Sequence, residues 1–268
     1  MEIICVGNEL LIGKTLNTNA HWLTKRITSL GLNVERITVV GDEVDEIANV
    51  IREAVQRKPR FIITTGGLGP TFDDKTLKGI AKALKRKLEV NEKALEMIRK
   101  TYETYIEEGK IESVELTPSR VKMATLPEGA EPLPNPIGTA PSIMISLKGN
   151  VLIALPGVPL EMETIFEESI APLLKKEASE VMFFETSIYS HDIIESTLAP
   201  LIDQVIHDNP HIYIKSHPKG WGKGIEIHFS TKSKNSKTAK NRLGKAIIQL
   251  SELVKKNGGR IKLQKKTS

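Results

Sequence analysis

The sequence predicts an α/β protein in which a mostly parallel sheet is flanked by helices and followed by a smaller α+β domain. Three observations support this fold class. Strand-like and helix-like segments alternate through residues 1–65 with short connections, which is typical of right-handed β-α-β crossovers. Of the 268 residues, 40% are hydrophobic but only 4% are aromatic, so Ile, Leu, Val and Ala must build the core. From about residue 176 the segment order changes to β-α-β-β-α.

The first domain is predicted to span residues 1–175. Apolar runs that end in glycine or a polar turn predict its strands, and apolar residues at 3.6-residue spacing predict its helices. Asn17 or Thr18 is expected to cap the first helix, and Gly31 is expected to end it in a left-handed conformation. The predicted strands are residues 2–7, 33–40, 60–65, 120–124, 142–147 and 150–155, and the predicted helices are residues 17–30, 44–55, 73–87, 92–108 and 159–175.

A second domain is predicted over residues 176–258, followed by a basic tail over residues 259–268. Its strands are expected in VMFFETSIYS, HIYIKS and GIEIHFS, with one helix ending near His207 and a long final helix. The tail sequence KLQKKTS is rich in lysine, which predicts solvated surface.

Charge and composition exclude several classes of protein. The formal net charge is +5, and much of the excess lies in residues 232–242 and 262–268. We interpret it as solvated surface charge rather than as a nucleic-acid-binding surface. The sequence has no basic leader and no long apolar run, which argues against secretion and against a membrane span. The single cysteine, Cys5, lies in an apolar run and is expected to be buried and inert in a reducing, cytoplasmic location.

The segment TTGGLGPTFDD, residues 64–74 and here called the glycine loop, is the strongest local signal. A predicted strand delivers the chain into Gly66, Gly67 and Gly69, which can present consecutive backbone N–H groups to an anion. The next helix is expected to start at once, so that its N-terminal dipole faces the same space. A tight turn without a ligand is the alternative. Three glycines in four residues at the end of a parallel strand favour phosphate binding.

Asp73 and Asp74 at the end of the glycine loop have two interpretations. Thr71 and Asp74 fit the S/T-x-x-D/E capping pattern, in which Asp74 only caps the next helix. Two carboxylates beside a phosphate would repel it unless a cation lay between them. A divalent metal held by Asp73 or Asp74 and bridging to the phosphate would remove that repulsion, and both interpretations stay open.

The first loop, residues 7–19 (GNELLIGKTLNTN), follows the first predicted strand. Gly-Lys-Thr at 13–15 resembles part of a P-loop, but that motif requires glycine where this chain has Asn8, so we reject it. A helix cap explains only one polar residue at the end of the loop. The polar residues that remain as site candidates are Glu9, Asn17, Thr18 and Asn19.

Two later segments rich in proline and glycine also lie at the ends of predicted strands or at the start of a predicted helix. LPNPIGTAPSIMI contains Gly138 and Thr139, and LIALPGVPLEM contains Glu161 in the first turn of a predicted helix. An acidic residue or a proline at a helix start is ordinary, so neither segment is specific alone. Four such turns in one parallel domain are expected to form one rim, because the carboxyl ends of parallel strands meet at one edge.

At these four segments the chain resembles the CinA family, within the wider molybdopterin-binding superfamily that includes MogA, MoaB and a domain of MoeA. The first loop is similar to the family's G-[DN]-E-L-L-x-G…NTN opening, and the glycine loop to its TTGGLGPT-x-DD signature. NPIGTAPS and PGVPLEM match two later signatures, except that Ser142 stands where glycine is common. The resemblance covers about residues 1–170. Residues 185–258 also resemble the small second domain of CinA proteins, through ES at 195–196, NP at 209–210 and GIEIHFS.

The resemblance implies that the first domain hydrolyses the pyrophosphate of ADP-ribose with a divalent metal, giving AMP and ribose 5-phosphate. MogA-type relatives bind molybdopterin and adenylylate it, and Asp42 and Asp74 match two acidic positions used in those relatives. Bacterial CinA proteins often continue into a deamidase domain acting on nicotinamide mononucleotide. This chain ends before that domain, so its activity is not expected here. The second domain is expected to cover the site or to build the interface of a homo-oligomer.

Three functions therefore stay open: an ADP-ribose pyrophosphatase, a molybdopterin-adenylylating enzyme, and a binding protein without catalysis. All three require a small nucleotide or pterin ligand. Asp42, Asp73 and Asp74 are the expected catalytic residues, and Asp73 and Asp74 the expected ligands of a divalent metal. The expected ligand-binding residues are Gly7, Glu9, Asn17, Thr18, Asn19, Thr65, Gly66, Gly67, Gly69, Pro70, Thr71, Asn135, Gly138, Thr139, Pro156, Gly157 and Glu161.

Overall fold

A computed structural model describes residues 1–110, 115–177, 181–220 and 224–263. The chain divides into two compact units, the first made of Met1–Thr28 and Leu32–Glu177 and the second of Ser29–Gly31 and residues 178–268. Among the described helices, none is long and apolar enough to cross a membrane.

The first unit contains a six-stranded sheet in the order β2-β1-β3-β8-β7-β6. The four strands β2, β1, β3 and β8 run parallel, and β7 and β6 are antiparallel additions at one edge. This arrangement confirms the mostly parallel sheet flanked by helices. The strands are β1 (Glu2–Val6), β2 (Arg36–Val40), β3 (Phe61–Thr65), β6 (Glu131–Leu133), β7 (Ser142–Ser146) and β8 (Val151–Leu155), and a separate two-stranded sheet pairs β4 (Leu88–Val90) with β5 (Thr125–Pro127).

Helices cover the sheet of the first unit. Aliphatic residues of α3, including Ile47 and Ile51, are fully buried in the same core as Ile62 of β3 and Leu152 of β8. The helices are α1 (Asn8–Leu11), α2 (Thr18–Ser29), α3 (Val44–Arg57), α4 (Thr76–Leu84), α5 (Glu92–Glu107), α6 (Pro118–Met123), α7 (Pro159–Ile165) and α8 (Ala171–Glu177), with a π-helical turn (Phe166–Ile170) joining the last two.

Two elements of the first unit correct the sequence-based prediction. Residues 120–124 are not a strand, because Thr117 accepts a hydrogen bond from the Arg120 amide and Pro118 occupies the first turn of α6. The helix predicted from Asp73 begins only at Thr76. The residues before Thr76 instead belong to the glycine loop, whose backbone remains non-helical.

The second unit contains a four-stranded antiparallel sheet in the order β10-β11-β9-β12. Two long helices pack on this sheet through a core that includes Ile227, Phe229, Leu198 and Leu250. The β-α-β-β-α order predicted here is present, with one further strand. The elements are β9 (Met182–His191), α9 (Glu195–Asp208), β10 (Ile212–Pro218), β11 (Ile225–Ser233), α10 (Ser236–Lys256) and β12 (Arg260–Leu263).

Strand β12 corrects the prediction that a solvated tail begins at residue 259. Its residues pair antiparallel with β9, from Arg260 opposite His191 to Leu263 opposite Ile188. Ile261 packs against the core of the second unit, which a basic composition by itself did not indicate. The strand forms because β9 would otherwise present an unpaired edge of backbone N–H and C=O groups.

We expect Ile261→Ala to lower the free energy of unfolding by about 1–2 kcal/mol, because it removes a partly buried side chain from this core. The matched control is Lys262→Ala on the same strand, whose side chain is exposed and whose loss should change stability by less than about 0.5 kcal/mol. Urea unfolding monitored by circular dichroism measures both. A loss below about 0.5 kcal/mol for Ile261→Ala would show that this side chain does not stabilise the second unit.

Candidate functional site

A cleft of about 400 Å³ lies at the carboxyl ends of β1, β3 and β8. Parallel α/β sheets bind ligands at this edge, because the loops that follow the strands meet there. All four segments singled out in the sequence contribute to it. Of the predicted site residues, those that line the cleft are Gly7, Glu9, Asp42, Gly66, Gly67, Gly69, Pro70, Asp73, Asp74, Thr139, Pro156, Gly157 and Glu161.

The glycine loop forms one wall of the cleft and has a backbone that side chains would not tolerate. Gly66 and Gly67 have φ values of +103° and +68°. A Cβ atom on Gly66 would lie 2.2 Å from the carbonyl oxygen of Val6. Thr76 holds the turn from behind, since its Oγ1 donates to the Gly66 carbonyl at 2.8 Å and its amide to the Gly67 carbonyl at 3.1 Å. The first amide of α4 is therefore used within the loop.

Asp74 is not the cap of α4. The residue at the N-cap position is Lys75, which makes no side-chain capping bond. Oδ2 of Asp74 instead accepts hydrogen bonds from the amide of Thr71 at 2.8 Å and from its Oγ1 at 2.6 Å. In the capping pattern Thr71 would be the N-cap and the helix would begin at residue 72, but α4 begins only at Thr76. The capping interpretation of Asp74 is therefore wrong, and the carboxylate closes the glycine loop instead.

Asp73 lies beside Asp74 on an exposed turn of the same loop. Its Oδ1 lies 2.5 Å from Oγ1 of Thr71, so the two aspartates share the single hydroxyl proton of Thr71. The hydrogen bond from Thr71, followed by one from its own backbone amide, lowers the pKa of Asp73 below the usual aspartate value. Asp73 is therefore ionised at neutral pH, and it places a negative charge next to the wall where phosphate is expected.

Lys122 is the site residue that the sequence did not reveal. Its Nζ donates to the carbonyl oxygens of Gly69, at 3.3 Å, and of Thr71, so that α6 is tied to the glycine loop. Burial lowers the pKa of Lys122, while the nearby charges of Asp74 and Asp73 raise it. No local pattern pointed to this lysine, because residues 120–124 were assigned to a strand and not to a helix beside the loop.

On the first-loop side of the cleft, Asp42 holds the backbone of α1. Its Oδ2 accepts a hydrogen bond from the amide of Asn8 at 2.9 Å, and Oδ1 of Asn8 accepts one from the amide of Asp42 at 3.4 Å. On the opposite side, Nδ2 of Asn135 donates to Oε2 of Glu161 at 2.7 Å, and its Oδ1 accepts from the amide of Gly138 at 2.9 Å. Asn135 thus holds both Glu161, which lines the far wall of the cleft, and the backbone of Gly138.

Asn17, Thr18, Asn19 and Thr65 line a smaller cavity of about 90 Å³ next to the cleft. Oδ1 of Asn17 caps α2 by accepting from the amide of Ala20 at 3.0 Å, as predicted. Nδ2 of Asn19 donates to Oγ1 of Thr65 at 3.0 Å and to the carbonyl of Gly157 at 2.9 Å. Asn19 therefore connects three of the four segments. It does not line the cleft itself but holds Gly157, which does.

We expect Asn19→Asp to lower the free energy of unfolding by about 2–3 kcal/mol, because an acceptor then faces the Gly157 carbonyl and two hydrogen bonds are lost. The matched control is Asn91→Asp, at a position where the side chain accepts from the amide of Ala94. Aspartate caps a helix as well as asparagine does, so that change should be nearly neutral. Thermal unfolding compares the two. An Asn19→Asp protein as stable as wild type would contradict this role.

The carboxylates of the cleft could hold a metal ion only if a bound substrate supplied further oxygen atoms. Within the described ranges, no group of three or more His, Cys, Asp or Glu side chains is arranged to hold a metal ion. Mg²⁺, however, is commonly bound by one or two carboxylates together with substrate phosphates and water. The bonds from Thr71 both fall on Oδ2 of Asp74, which leaves its Oδ1 as an oxygen ligand. The pair Asp73 and Asp74 fits that mode of binding.

Comparison with known proteins places this site in a family. Residues 2–176 match the family model described as "Probable molybdopterin binding domain". A protein of Sulfurisphaera tokodaii is 45% identical over 263 residues, which is 97% of each chain. A protein of Pyrobaculum arsenaticum is 45% identical over 260 residues, covering 96% of this chain and 95% of its own.

A solved structure gives the same result. The crystal structure of the CinA protein of Thermoplasma acidophilum, whose function is described as unknown, is 42% identical, with a TM-score of 0.57. The match covers 62% of this chain and 92% of that protein. The chain therefore belongs to the molybdopterin-binding-domain family, among its CinA-like members.

Proposed function

We propose that this protein is a metal-dependent nucleotide pyrophosphatase that hydrolyses ADP-ribose to AMP and ribose 5-phosphate. The observation that carries the proposal is one cleft in which the turned backbone of Gly66 and Gly67 lies beside the carboxylates of Asp73 and Asp74. The glycines suit a phosphate group, and the carboxylates suit a cation that neutralises it. The resemblance of the four segments to CinA proteins supports the choice of substrate.

In this proposal the glycine loop binds the pyrophosphate through backbone N–H groups, and Asp73 and Asp74 would hold the divalent ion. The ion would supply charge neutralisation of the phosphate oxygens. Water attacks one phosphorus atom, and the bond from that phosphorus to the bridging oxygen breaks. The second phosphate leaves with the bridging oxygen, and the proton lost by the water passes to a carboxylate or to solvent. Asp42, the third aspartate of the cleft, orients the water.

A second function uses the same cleft. The family model is described as a probable molybdopterin-binding domain, which favours a pterin ligand and, as in MogA-type relatives, its adenylylation from ATP. That reaction also needs a nucleotide phosphate on the glycine loop and a divalent ion. A protein that binds the nucleotide or pterin without turnover is the third candidate.

Incubation of the protein with ADP-ribose and a panel of divalent ions tests the proposal directly. We expect AMP and ribose 5-phosphate in equal amounts only when an ion is present, measured by chromatography. Transfer of AMP from ATP to molybdopterin without hydrolysis of ADP-ribose would instead establish the second function. Binding of either ligand with no product in any metal would leave only the binding protein.

A further inference from the structure

A second cavity shares the glycine loop with the cleft and is here called the side chamber. It has a volume of about 460 Å³, within the range of roughly 300–1,000 Å³ typical of small-molecule sites. Gly67, Leu68, Gly69 and Asp74 line both spaces. A ligand with phosphate at the glycine loop in the cleft therefore lies next to the side chamber.

The other walls of the side chamber are mainly apolar. Leu77 of α4, Leu88 of β4 and Val121 of α6 contribute side chains from three different elements. Leu88 is 37% exposed and Val121 is half-buried, so both present aliphatic surface to the chamber. Walls of this kind favour a flat, uncharged ring, which replaces water against the aliphatic side chains without needing many polar partners.

Two lysines give the side chamber its polar groups. Lys78 and Lys122 both line it, and the charge of Lys78 adds to burial in lowering the pKa of Lys122. Two cations this close to an apolar wall favour a ligand with hydrogen-bond acceptors or π-electron density at its edge. Asp74 also lines the chamber, and its charge acts on Lys122 from the glycine loop that the chamber shares with the cleft.

We propose that the side chamber binds the flat, nitrogen-containing ring of the ligand whose phosphate lies on the glycine loop. The ring stacks between Leu88 and Val121, and its acceptor atoms face the lysines. The inference rests on the proposed function only in that the ligand has a phosphate and a ring. A purine and a pterin share this chemistry, since both are fused bicyclic rings with several ring nitrogens.

The test fills the side chamber from two different elements, with Leu88→Trp on β4 and, separately, Val121→Phe on α6. Val90→Trp is the matched control, because Val90 lies on the same strand, is also exposed and does not line the chamber. Isothermal titration measures the affinity of each folded variant for AMP, for neopterin monophosphate and for inorganic pyrophosphate, all in the presence of Mg²⁺. Thermal unfolding shows that each variant is folded.

We expect both filling variants to bind AMP or neopterin monophosphate at least about tenfold more weakly than wild type, with pyrophosphate affinity unchanged within about twofold. The preferred ring ligand of the wild type identifies which of the two sources the chamber takes. Ring ligands that bind the filled variants as they bind wild type would overturn the proposal. So would a wild-type protein that binds neither ring ligand, or binds them no better than pyrophosphate. The two proposals can fail separately. If wild type does not hydrolyse ADP-ribose but the filled variants lose ring binding, the pyrophosphatase is rejected and the ring site in the side chamber stands.

Discussion

Replacing Asp74 with asparagine is expected to lower turnover of the substrate by roughly two orders of magnitude or more, with little change in the melting temperature. Asparagine has the same size and keeps an oxygen that can accept the hydrogen bond from the amide of Thr71. The loss of stability should therefore be at most about 1 kcal/mol. What the substitution removes is the negative charge, which a metal ligand or a water-orienting group needs.

The matched control is Asp45→Asn, the same chemical change at an exposed residue of α3 that pairs with Lys82 outside the cleft. It should leave turnover close to wild type. Raising the concentration of the divalent ion distinguishes two roles of Asp74: partial recovery indicates a metal ligand, and no recovery indicates a residue that orients water. Near-normal turnover by the Asp74→Asn protein would mean that Asp74 serves only to close the glycine loop.

Replacing Gly66 with alanine is expected to lower the free energy of unfolding by about 3–5 kcal/mol and to abolish ligand binding. Two costs add at this position. The backbone has a φ of +103°, which alanine rarely adopts, and the new methyl group would lie 2.2 Å from the carbonyl oxygen of Val6 at the end of β1. Main chain in a central strand cannot move aside as a flexible side chain can, so the loop itself must shift.

Gly13→Ala separates the two costs. Gly13 has a φ of +71°, but no atom within 4 Å would meet a Cβ there. Gly13→Ala should therefore lower the free energy of unfolding only by the conformational cost of a positive φ, about 1–2 kcal/mol. Chemical denaturation measures both variants, and titration with pyrophosphate measures binding by the protein that remains folded. Equal destabilisation by the two substitutions would show that the close approach of Gly66 to β1 is not what shapes the glycine loop.

Local sequence was sufficient where the deciding interactions are local. Strands β1, β3 and β8 are continuous apolar runs that end in glycine or proline, and the helices between them carry apolar residues at helical spacing. Because these patterns follow from the periodicity of the backbone, the parallel sheet and its binding edge were predictable. The cap of α2 by Asn17 belongs to the same class, since the bond spans only three residues.

Local sequence failed where a distant part of the chain decides. Residues 120–124 look like a strand, but Arg120 lies 3.6 Å from the ring centre of Tyr102 on α5, and α6 forms beside that helix. Residues 260–263 look like a solvated tail, yet they pair with β9, a strand that lies about 70 residues earlier in the sequence. In both cases the partner is far away in the chain and invisible to a local pattern.

The sequence by itself determined the fold class, the glycine loop and the group of segments that line the cleft, because glycine, proline and apolar spacing act within a few residues. Only the tertiary structure decided what the polar groups do. In the structure Asp74 accepts a hydrogen bond from Thr71 instead of capping a helix, and Lys122 lies against the glycine loop. The side chamber lies next to that loop. These features depend on distances between elements, which follow from how the helices pack on the sheet and not from any local run of residues.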